Sequence, residues 1–372
     1  MATTARAGVS RREIAGVFLK LGTIAFGGPA AHVAMMEEEV VVRRNWLTRQ
    51  EFLDYLGATN LIPGPNSTEL AIHIGHLCGG PIGLVIAGAC FILPAALIVT
   101  AIAYLYARFG QLPMATDVLY TLKPVVIAIV VQALVRLSRS AIKSRMLAGI
   151  GVAAVVATAL GVNELVVLLG AGVMMIATVR PARAAVMLLP TPFAASATAA
   201  PATLLALFGL FVKTGAVLFG SGYVLLAFLR ADFVDRLHWL TDRQLLDAIV
   251  VGQITPGPVF TTATFVGYVI AGWRGGAVAT LGIFLPAFVF VALSGPLIPR
   301  LRRSPAAGAA LDGVTVASLA LMAVVTWQLG RSALPDMLTW GIAGVSLFLL
   351  LRFRVNSAWL VGAGLIAGIV IH

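Results

Sequence analysis

Long apolar stretches separated by short polar connectors run along almost the whole chain. Nearly charge-free segments recur at 81–107, 146–160, 164–179, 275–298, 337–351 and 355–371. A helix needs roughly 20 residues to cross a hydrocarbon layer about 30 Å thick, so segments of this length and polarity predict membrane helices. With the shorter apolar stretches included, we predict about ten to twelve helical segments.

Composition agrees with this pattern. Hydrophobic residues make up 60% of the chain and charged residues 11%, which is more apolar surface than a water-soluble core could bury. The net charge of +11 lies in the connectors, as Lys and Arg do in the cytoplasmic loops of membrane proteins. We therefore expect a lipid bilayer around the protein and no nucleic-acid partner. Cys78 and Cys90 lie in apolar surroundings without a pairing pattern, so neither a disulfide nor a metal site is expected.

The chain contains an internal duplication. Residues 18–65 align without a gap with residues 211–258, and both stretches contain Phe-Gly, Trp-Leu-Thr and Pro-Gly-Pro at matching places. Self-similarity of this kind predicts two copies of one structural unit. We predict a first transmembrane repeat, a linker and a second transmembrane repeat, with bounds 1–183, 184–202 and 203–372.

The basic connectors predict how the two repeats are oriented. The connector at 136–145 is strongly basic, whereas its counterpart at 330–335 is weakly basic; the connector at 108–113 is weakly basic, whereas 300–305 is strongly basic. If basic connectors stay in the cytoplasm, the repeats are inverted relative to one another. The predicted fold class is an all-α polytopic membrane protein with two inverted structural repeats and discontinuous helices at a central site, an architecture found in secondary transporters.

Each repeat begins a helix that is too short to cross the bilayer. Capping boxes start these helices at Thr48-x-x-Glu51 and Thr241-x-x-Gln244, where the side chains satisfy free amides of the first turn. About 14 residues, or roughly 21 Å of helix, separate each box from the next Pro-Gly-Pro. The helices are therefore expected to end inside the membrane.

The Pro-Gly-Pro triplets predict an anion site. A helix that begins after Pro65 or Pro258 should leave the amides of residues 66–68 and 259–261 unpaired, because the first turn has no internal acceptors. Unpaired backbone at this depth is costly unless it lines a cavity or binds a ligand, and helix N-termini favour anions. The alternative is a pair of proline kinks stabilised by neighbouring helices.

Two lysines at matching places, Lys20 and Lys213, lie in apolar runs, where a cation is costly without a partner. We expect their replacement by alanine to weaken anion affinity more than protein abundance; for Lys20, snorkelling to the interface is an equal alternative. Glu69 is a candidate coupling residue, although the second copy has Thr262 at that place. The full predicted substrate-binding set is Lys20, Gly27, Gly28, Asn60, Pro63, Gly64, Pro65, Asn66, Ser67, Lys213, Gly220, Ser221, Gln253, Thr255, Pro256, Gly257, Pro258 and Thr261.

The duplicated blocks resemble a known family. Segments 26–71 and 219–268, with their FGG or FGS, WLT and PGP motifs, are similar to the chromate ion transporter family in its long two-domain form. The resemblance implies export of the chromate dianion from the bacterial inner membrane, with chromate resistance, and sulfate as an isosteric competitor. It also implies that the residues of both triplets, together with Asn66, belong to the functional region.

Membrane voltage favours export. A dianion that leaves an inside-negative cell gains roughly 4.6 kcal/mol per 100 mV, and the sequence shows no phosphate-binding loop for ATP. Our main hypothesis is a secondary transporter of chromate or a similar oxyanion; the alternatives are transport of sulfate or another oxyanion, and a channel-like anion conductor. No enzyme activity and no cofactor are predicted. The sequence leaves open the coupling ion, the helix count and the oligomeric state, including a homodimer.

Overall fold

The fold is helical throughout the described part of the chain. A computed structural model describes residues 9–110, 112–179, 202–219, 222–302, 304–353 and 355–371. Within them lie fourteen α-helices and no strand, which confirms the prediction of an all-α protein. The linker predicted at 184–202 falls almost wholly outside the described residues, as do Gly220 and Ser221.

Seven α-helices lie in the described residues of the first half. Their bounds are α1 Arg11–Ile24, α2 Gly28–Glu37, α3 Arg49–Thr59, α4 Asn66–Phe109, α5 Pro113–Ala141, α6 Arg145–Ala159 and α7 Glu164–Val179. Helix α2 continues directly into a π-helix, Glu38–Arg43.

The described part of the second half also contains seven α-helices. Their bounds are α8 Leu204–Val217, α9 Leu225–Leu229, α10 Asp242–Ile254, α11 Thr262–Arg302, α12 Pro305–Ala333, α13 Met337–Phe348 and α14 Ser357–Ile371. Short 3₁₀ turns, Gly222–Val224 and Val259–Thr261, precede α9 and α11, and π-helices, Arg230–Arg236 and Leu349–Phe353, follow α9 and α13. The fourteen described α-helices exceed the ten to twelve predicted segments.

Four helices are long and apolar enough to cross a membrane. They are α4, α5, α11 and α12, and five shorter apolar helices, α6, α7, α8, α13 and α14, accompany them. Their outer surfaces carry large exposed apolar side chains such as Leu97 and Leu281, as expected of a surface in contact with lipid tails. The protein is therefore a multi-pass membrane protein.

Each Pro-Gly-Pro triplet lies at the tip of a helical hairpin. Both predicted capping boxes are present, at Thr48 and at Thr241. After the first triplet the chain reverses, since the rings of Tyr55 on α3 and His73 on α4 lie 5.5 Å apart although the triplet separates them in sequence. We call residues 60–67 the first tip and residues 255–261 the second tip.

A second reversal follows each tip. Helices α4 and α11 leave helical geometry at Gly80 and Gly272, both with φ of 62°. Gly75, before the first bend, packs so closely on Gly83, after it, that a Cβ would collide with the Gly83 carbonyl oxygen. Helix α4 thus consists of two antiparallel arms, residues 66–78 and 81–109, and α11 repeats this arrangement.

Helices α5 and α12, which occupy matching places in the two halves, pack antiparallel. Lys143 Nζ, just after α5, lies 2.7 Å from Asp312 Oδ1 near the start of α12. At the other end, Tyr120 on α5 donates a 2.6 Å hydrogen bond to Asp336, just after α12. These two contacts place the start of each helix beside the end of the other.

Candidate functional site

The two tips are held by the opposite halves of the protein. The amide of Gly64 donates a 2.8 Å hydrogen bond to the carbonyl of Leu218, at the end of α8, and the amide of Gly257 donates a 3.0 Å bond to Ala25, at the end of α1. Both glycines have positive φ, 138° and 83°, which other residues adopt at a cost. The glycines therefore permit the turns that join the halves.

A cavity of about 720 Å³ lies between the tips. Helices α5 and α12 and the start of α2 complete its walls. The tip residues that line it are Asn60, Leu61, Pro65, Asn66 and Ser67 of the first tip, and Pro258, Val259 and Phe260 of the second. Of the predicted substrate-binding set, the structure thus brings Asn60, Pro65, Asn66, Ser67 and Pro258 together around one space.

Part of the expected free backbone is already used. The amides of Thr68 and Thr261 donate to the carbonyl of the last proline of their own triplet, at 2.8 and 3.0 Å. The prediction that these two amides are unpaired is wrong, because the first turn tightens into i→i+3 bonds. The amides of Ser67, Val259 and Phe260 have no hydrogen-bond partner within the described residues and belong to residues that line the cavity.

The first tip carries polar side chains. Asn66 Nδ2 donates a 2.7 Å hydrogen bond to Asn60 Oδ1, which fixes both amides at the cavity wall. Ser67 Oγ lies 3.2 Å from Nδ1 of His32 on α2, a buried histidine. At the second tip, Val259 and Phe260 present apolar side chains to the same cavity.

Arg136 supplies positive charge at the cavity wall. It lies on α5, lines the cavity, is exposed, and makes no ion pair with another described residue. The other charged residues in the wall, Lys143 and Asp312, neutralise one another, so the wall has two cations and one anion, a net charge of +1. Arg136 was not among the predicted site residues, because the basic stretch 136–145 has the pattern of a connector, whereas α5 extends to Ala141.

Helix α12 adds hydroxyl groups to the cavity wall. Ser318 and Thr315, one turn apart, both line the cavity. Ser318 is 1% exposed, and its hydroxyl has no hydrogen-bond partner within the described residues. Because a buried hydroxyl without a partner is costly, Ser318 is a candidate ligand-binding group. No motif in the sequence pointed to it.

A neighbouring cavity of about 570 Å³ shares Arg136 with the first. Gly27, one of the predicted substrate-binding residues, lines this second space, together with Arg139 and Asn356. Gly27 therefore lines this neighbouring cavity and not the cavity between the tips.

Both lysines pair with carboxylates away from the cavity. Lys20 Nζ lies 2.6 Å from Glu39, and Lys213 Nζ lies 3.1 Å from Glu164 and 2.9 Å from Asp232. Glu39 and Asp232 occupy matching positions on the two π-helices. The structure does not bring the lysines to the cavity, and their charges are neutralised where they lie.

Glu69 lies behind the first tip. It is 0% exposed, its carboxyl oxygens have no hydrogen-bond partner within the described residues, and a Cβ on Gly64 would collide with its Oε1. The remaining predicted residues that are described lie outside both cavities: Gly28, Pro63, Gly64, Gln253, Thr255, Pro256, Gly257 and Thr261.

Long apolar helices, two helical hairpin tips and a cavity with a net positive charge are typical of polytopic membrane transporters. The chain belongs to the chromate transporter family, since the sequence model of that family matches residues 12–176 and again residues 205–369. The family predicted from the FGG, WLT and PGP motifs is therefore confirmed.

Curated relatives agree with this assignment. The chain is 33% identical to the chromate transport protein of Cupriavidus metallidurans and 32% identical to the probable chromate transport protein of Synechococcus elongatus, each over 95% of this chain and 91% of the relative. It is 31% identical to the chromate transport protein of Pseudomonas aeruginosa, over 84% of this chain and 80% of the relative. No solved structure is significantly similar to the chain.

Proposed function

We propose that the protein is a secondary transporter that exports chromate, or a sulfate-like tetrahedral oxyanion, across the bacterial inner membrane. The observation that carries this proposal is the cavity between the two tips. Its charged residues sum to +1, and its lining includes three residues whose amides have no partner among the described residues. A tetrahedral dianion offers four acceptor oxygens and no donor, which matches a wall that presents donors and positive charge.

The anion is bound by groups from both halves. We assign its contacts to the free amides of Ser67, Val259 and Phe260, to the Arg136 guanidinium and to the Ser318 hydroxyl. Charge-assisted hydrogen bonds from a guanidinium are the strongest of these. In this proposal the lysines stabilise the scaffold and do not contact the substrate.

The antiparallel packing of α5 and α12 supports the proposal that the halves are inverted repeats. In such repeats the site at the pseudo-symmetry axis is reached alternately from the two sides of the membrane. The cavity extends to the basic end of α5, where Arg136 and Lys143 line it, and the positive-inside rule assigns that end to the cytoplasm. Voltage then drives a dianion outward, by roughly 4.6 kcal/mol per 100 mV.

Flux into liposomes tests the proposal. The purified protein is reconstituted, and radiolabelled sulfate uptake is measured under an imposed voltage, with chromate as competitor. We expect saturable, voltage-driven sulfate flux that chromate inhibits, and exchange between internal and external anion. Flux that rises linearly with concentration and shows no exchange would favour a channel-like conductor, and no flux of either anion would reject the proposal.

A further inference from the structure

His32 connects the two tips. Its Nε2 lies 3.1 Å from the carbonyl oxygen of Ala25, and its Nδ1 lies 3.2 Å from Ser67 Oγ. The same Ala25 carbonyl accepts the hydrogen bond from Gly257 that holds the second tip. One buried imidazole therefore touches the anchor of the second tip and the hydroxyl of a residue that lines the anion cavity.

The neighbours of His32 determine where its proton lies. A carbonyl oxygen can only accept, so Nε2 must carry hydrogen and donate to Ala25. In the neutral ring Nδ1 is then an acceptor, and the Ser67 hydroxyl must donate to it. While His32 is neutral, the hydroxyl hydrogen of Ser67 is committed to the ring and is not free for an anion.

Protonation of His32 reverses this hydrogen bond. The imidazolium has N–H groups at both ring nitrogens, so Nδ1 donates to Ser67 Oγ and the Ser67 hydroxyl becomes free to donate towards the cavity. The ring also gains a positive charge next to the site. A dianion in the cavity favours the charged form of a nearby histidine, and the charged histidine favours the dianion in return.

We propose that His32 is a proton-binding site of the transport cycle, which takes up one proton when the oxyanion binds and releases it when the anion leaves. This inference rests on the proposed function. A dianion that moves with one proton carries a net charge of −1, so the membrane voltage still drives export. The proton is exchanged at Nδ1, through Ser67 and the cavity.

The surroundings of His32 leave the bound anion as its main electrostatic partner. Two charged residues on the neighbouring helices are already paired. On α1, Lys20 forms an ion pair with Glu39, and on α2, Glu37 forms one with Arg49. On α4, the ring edge contacts Phe91, and Glu69 faces Gly64. His73, also on α4, packs on Tyr55 of α3, and the second tip approaches through the backbone of Gly257.

The second half lacks an equivalent group. Leu225 occupies the place that matches His32, and the second tip has Val259 and Phe260 where the first has Asn66 and Ser67. The protein therefore has one such proton site and not a symmetric pair, so we expect one proton per anion.

Sulfate transport as a function of pH tests the inference. In liposomes containing wild-type protein, we expect the apparent affinity for sulfate to rise towards acid pH, by up to about tenfold per pH unit over the titration range. Sulfate flux should also move protons in the same direction, measured with a trapped pH-sensitive dye. His32→Gln keeps a donor for Ala25 but cannot ionise, so the pH dependence and the proton movement should both disappear.

Two further variants keep the test decisive if His32→Gln does not insert. Ser67→Ala should weaken the affinity for sulfate more at acid pH than at alkaline pH, because the Ser67 hydroxyl hydrogen can be donated to the anion only when His32 is charged. His76→Gln, a histidine on α4 outside the cavity lining, is the matched control and should keep the wild-type pH profile.

Several outcomes would overturn the inference. Saturable wild-type flux that is independent of pH would reject the role of His32 and leave the proposed function intact. A pH profile that survives in His32→Gln, or an equal loss of affinity in Ser67→Ala at both pH extremes, would also reject it. Loss of pH dependence in Glu69→Gln alone would assign the proton to Glu69. Absence of any wild-type flux would reject the proposed function and this inference with it.

Discussion

The two hairpin tips are anchored in the same way and differ in chemistry. In each, a glycine with positive φ donates its amide to the end of a helix in the other half, Gly64 to Leu218 and Gly257 to Ala25. The first tip carries asparagine and serine side chains at the cavity, whereas the second carries valine and phenylalanine. The glycines give both tips the same anchor to the other half. The side chains of the first tip offer polar groups to the cavity, and those of the second do not.

The tips also differ in how their next helix begins. The stretch from Pro258 to the bend at Gly272 is one residue shorter than the stretch from Pro65 to Gly80, and it starts with the 3₁₀ turn Val259–Thr261. A 3₁₀ residue rises about 0.5 Å more than an α-helical residue, so three of them recover about 1.5 Å, the rise of the missing residue. The added rise thus makes up for the length of the missing residue.

Filling either tip glycine should have the largest effect. We expect Gly64→Val and Gly257→Val each to reduce sulfate flux by about a hundredfold or more, because valine disfavours positive φ. Gly257→Val should also lower the folded fraction further than Gly64→Val. A Cβ at 257 would meet Ala95 Cβ at 2.7 Å and a backbone oxygen at 3.0 Å, whereas at 64 it would meet the movable Glu69 carboxyl.

Flux in liposomes and size-exclusion profiles in detergent measure these two effects separately. Gly16→Val and Gly209→Val are matched controls, one in each half, since nothing lies within 4 Å of a Cβ built at either position. Flux at the wild-type level in both tip variants would show that the tips do not form the site.

Removal of each of the two matching lysines should lower the stability of the protein by different amounts. Lys213→Ala leaves Glu164 without its cation, and Glu164 is 7% exposed, whereas after Lys20→Ala the partner Glu39 retains Arg43 and Arg44. Breaking a buried pair costs about 3–5 kcal/mol; with a discount for the partial exposure of Lys213, we expect about 2 kcal/mol. For Lys20→Ala we expect less than about 1 kcal/mol.

Thermal unfolding in detergent measures this difference. Adding Glu164→Gln to Lys213→Ala should recover part of the loss, because it removes the unpaired charge. Neither lysine variant should alter the sulfate KM as much as it alters stability. A larger effect on the sulfate KM than on stability would instead support the prediction from the sequence that the lysines bind the anion.

Replacing Arg136 should weaken anion binding. This arginine lies on α5, in a part of the cavity wall that belongs to neither tip. Arg136→Gln removes the net positive charge of the cavity wall, so we expect the KM for sulfate to rise about tenfold, equivalent to about 1.4 kcal/mol. Arg136→Lys should recover part of the affinity. Arg108→Gln, an exposed arginine at the end of α4 that is absent from the cavity lining, is the control, and an equal KM in Arg136→Gln and wild type would contradict the assignment.

The smallest expected effect concerns the Ser318 hydroxyl in the cavity wall. Ser318→Ala removes one neutral donor, worth about 0.5–1.5 kcal/mol, so we expect the KM for sulfate to rise about threefold with little change in thermal stability. Thr326→Val is the control on the same helix, because that hydroxyl bonds to the Met322 carbonyl. A stability loss in Ser318→Ala without a change in KM would make the hydroxyl structural.

Patterns close together in sequence were sufficient for the local features. The apolar stretches predicted the membrane helices, the capping boxes predicted the starts of α3 and α10, and the duplicated motifs predicted the family. Each of these features depends on residues within one or two helical turns of each other, or on a repeated motif. Such features can be predicted without knowing which distant residues are in contact.

The tertiary structure decided which groups meet. The reversal at each tip, the neutralised lysines, and the gathering of Arg136 and Ser318 around Asn66 and Ser67 all depend on contacts between residues far apart in the chain. A charge in an apolar run predicts that a partner is needed, since burying it alone is too costly, but not which partner folding supplies. For Lys213 the partners are Glu164, from the first half, and Asp232, from its own half. Packing of the halves against one another supplies the first, and the fold of the second half supplies the second.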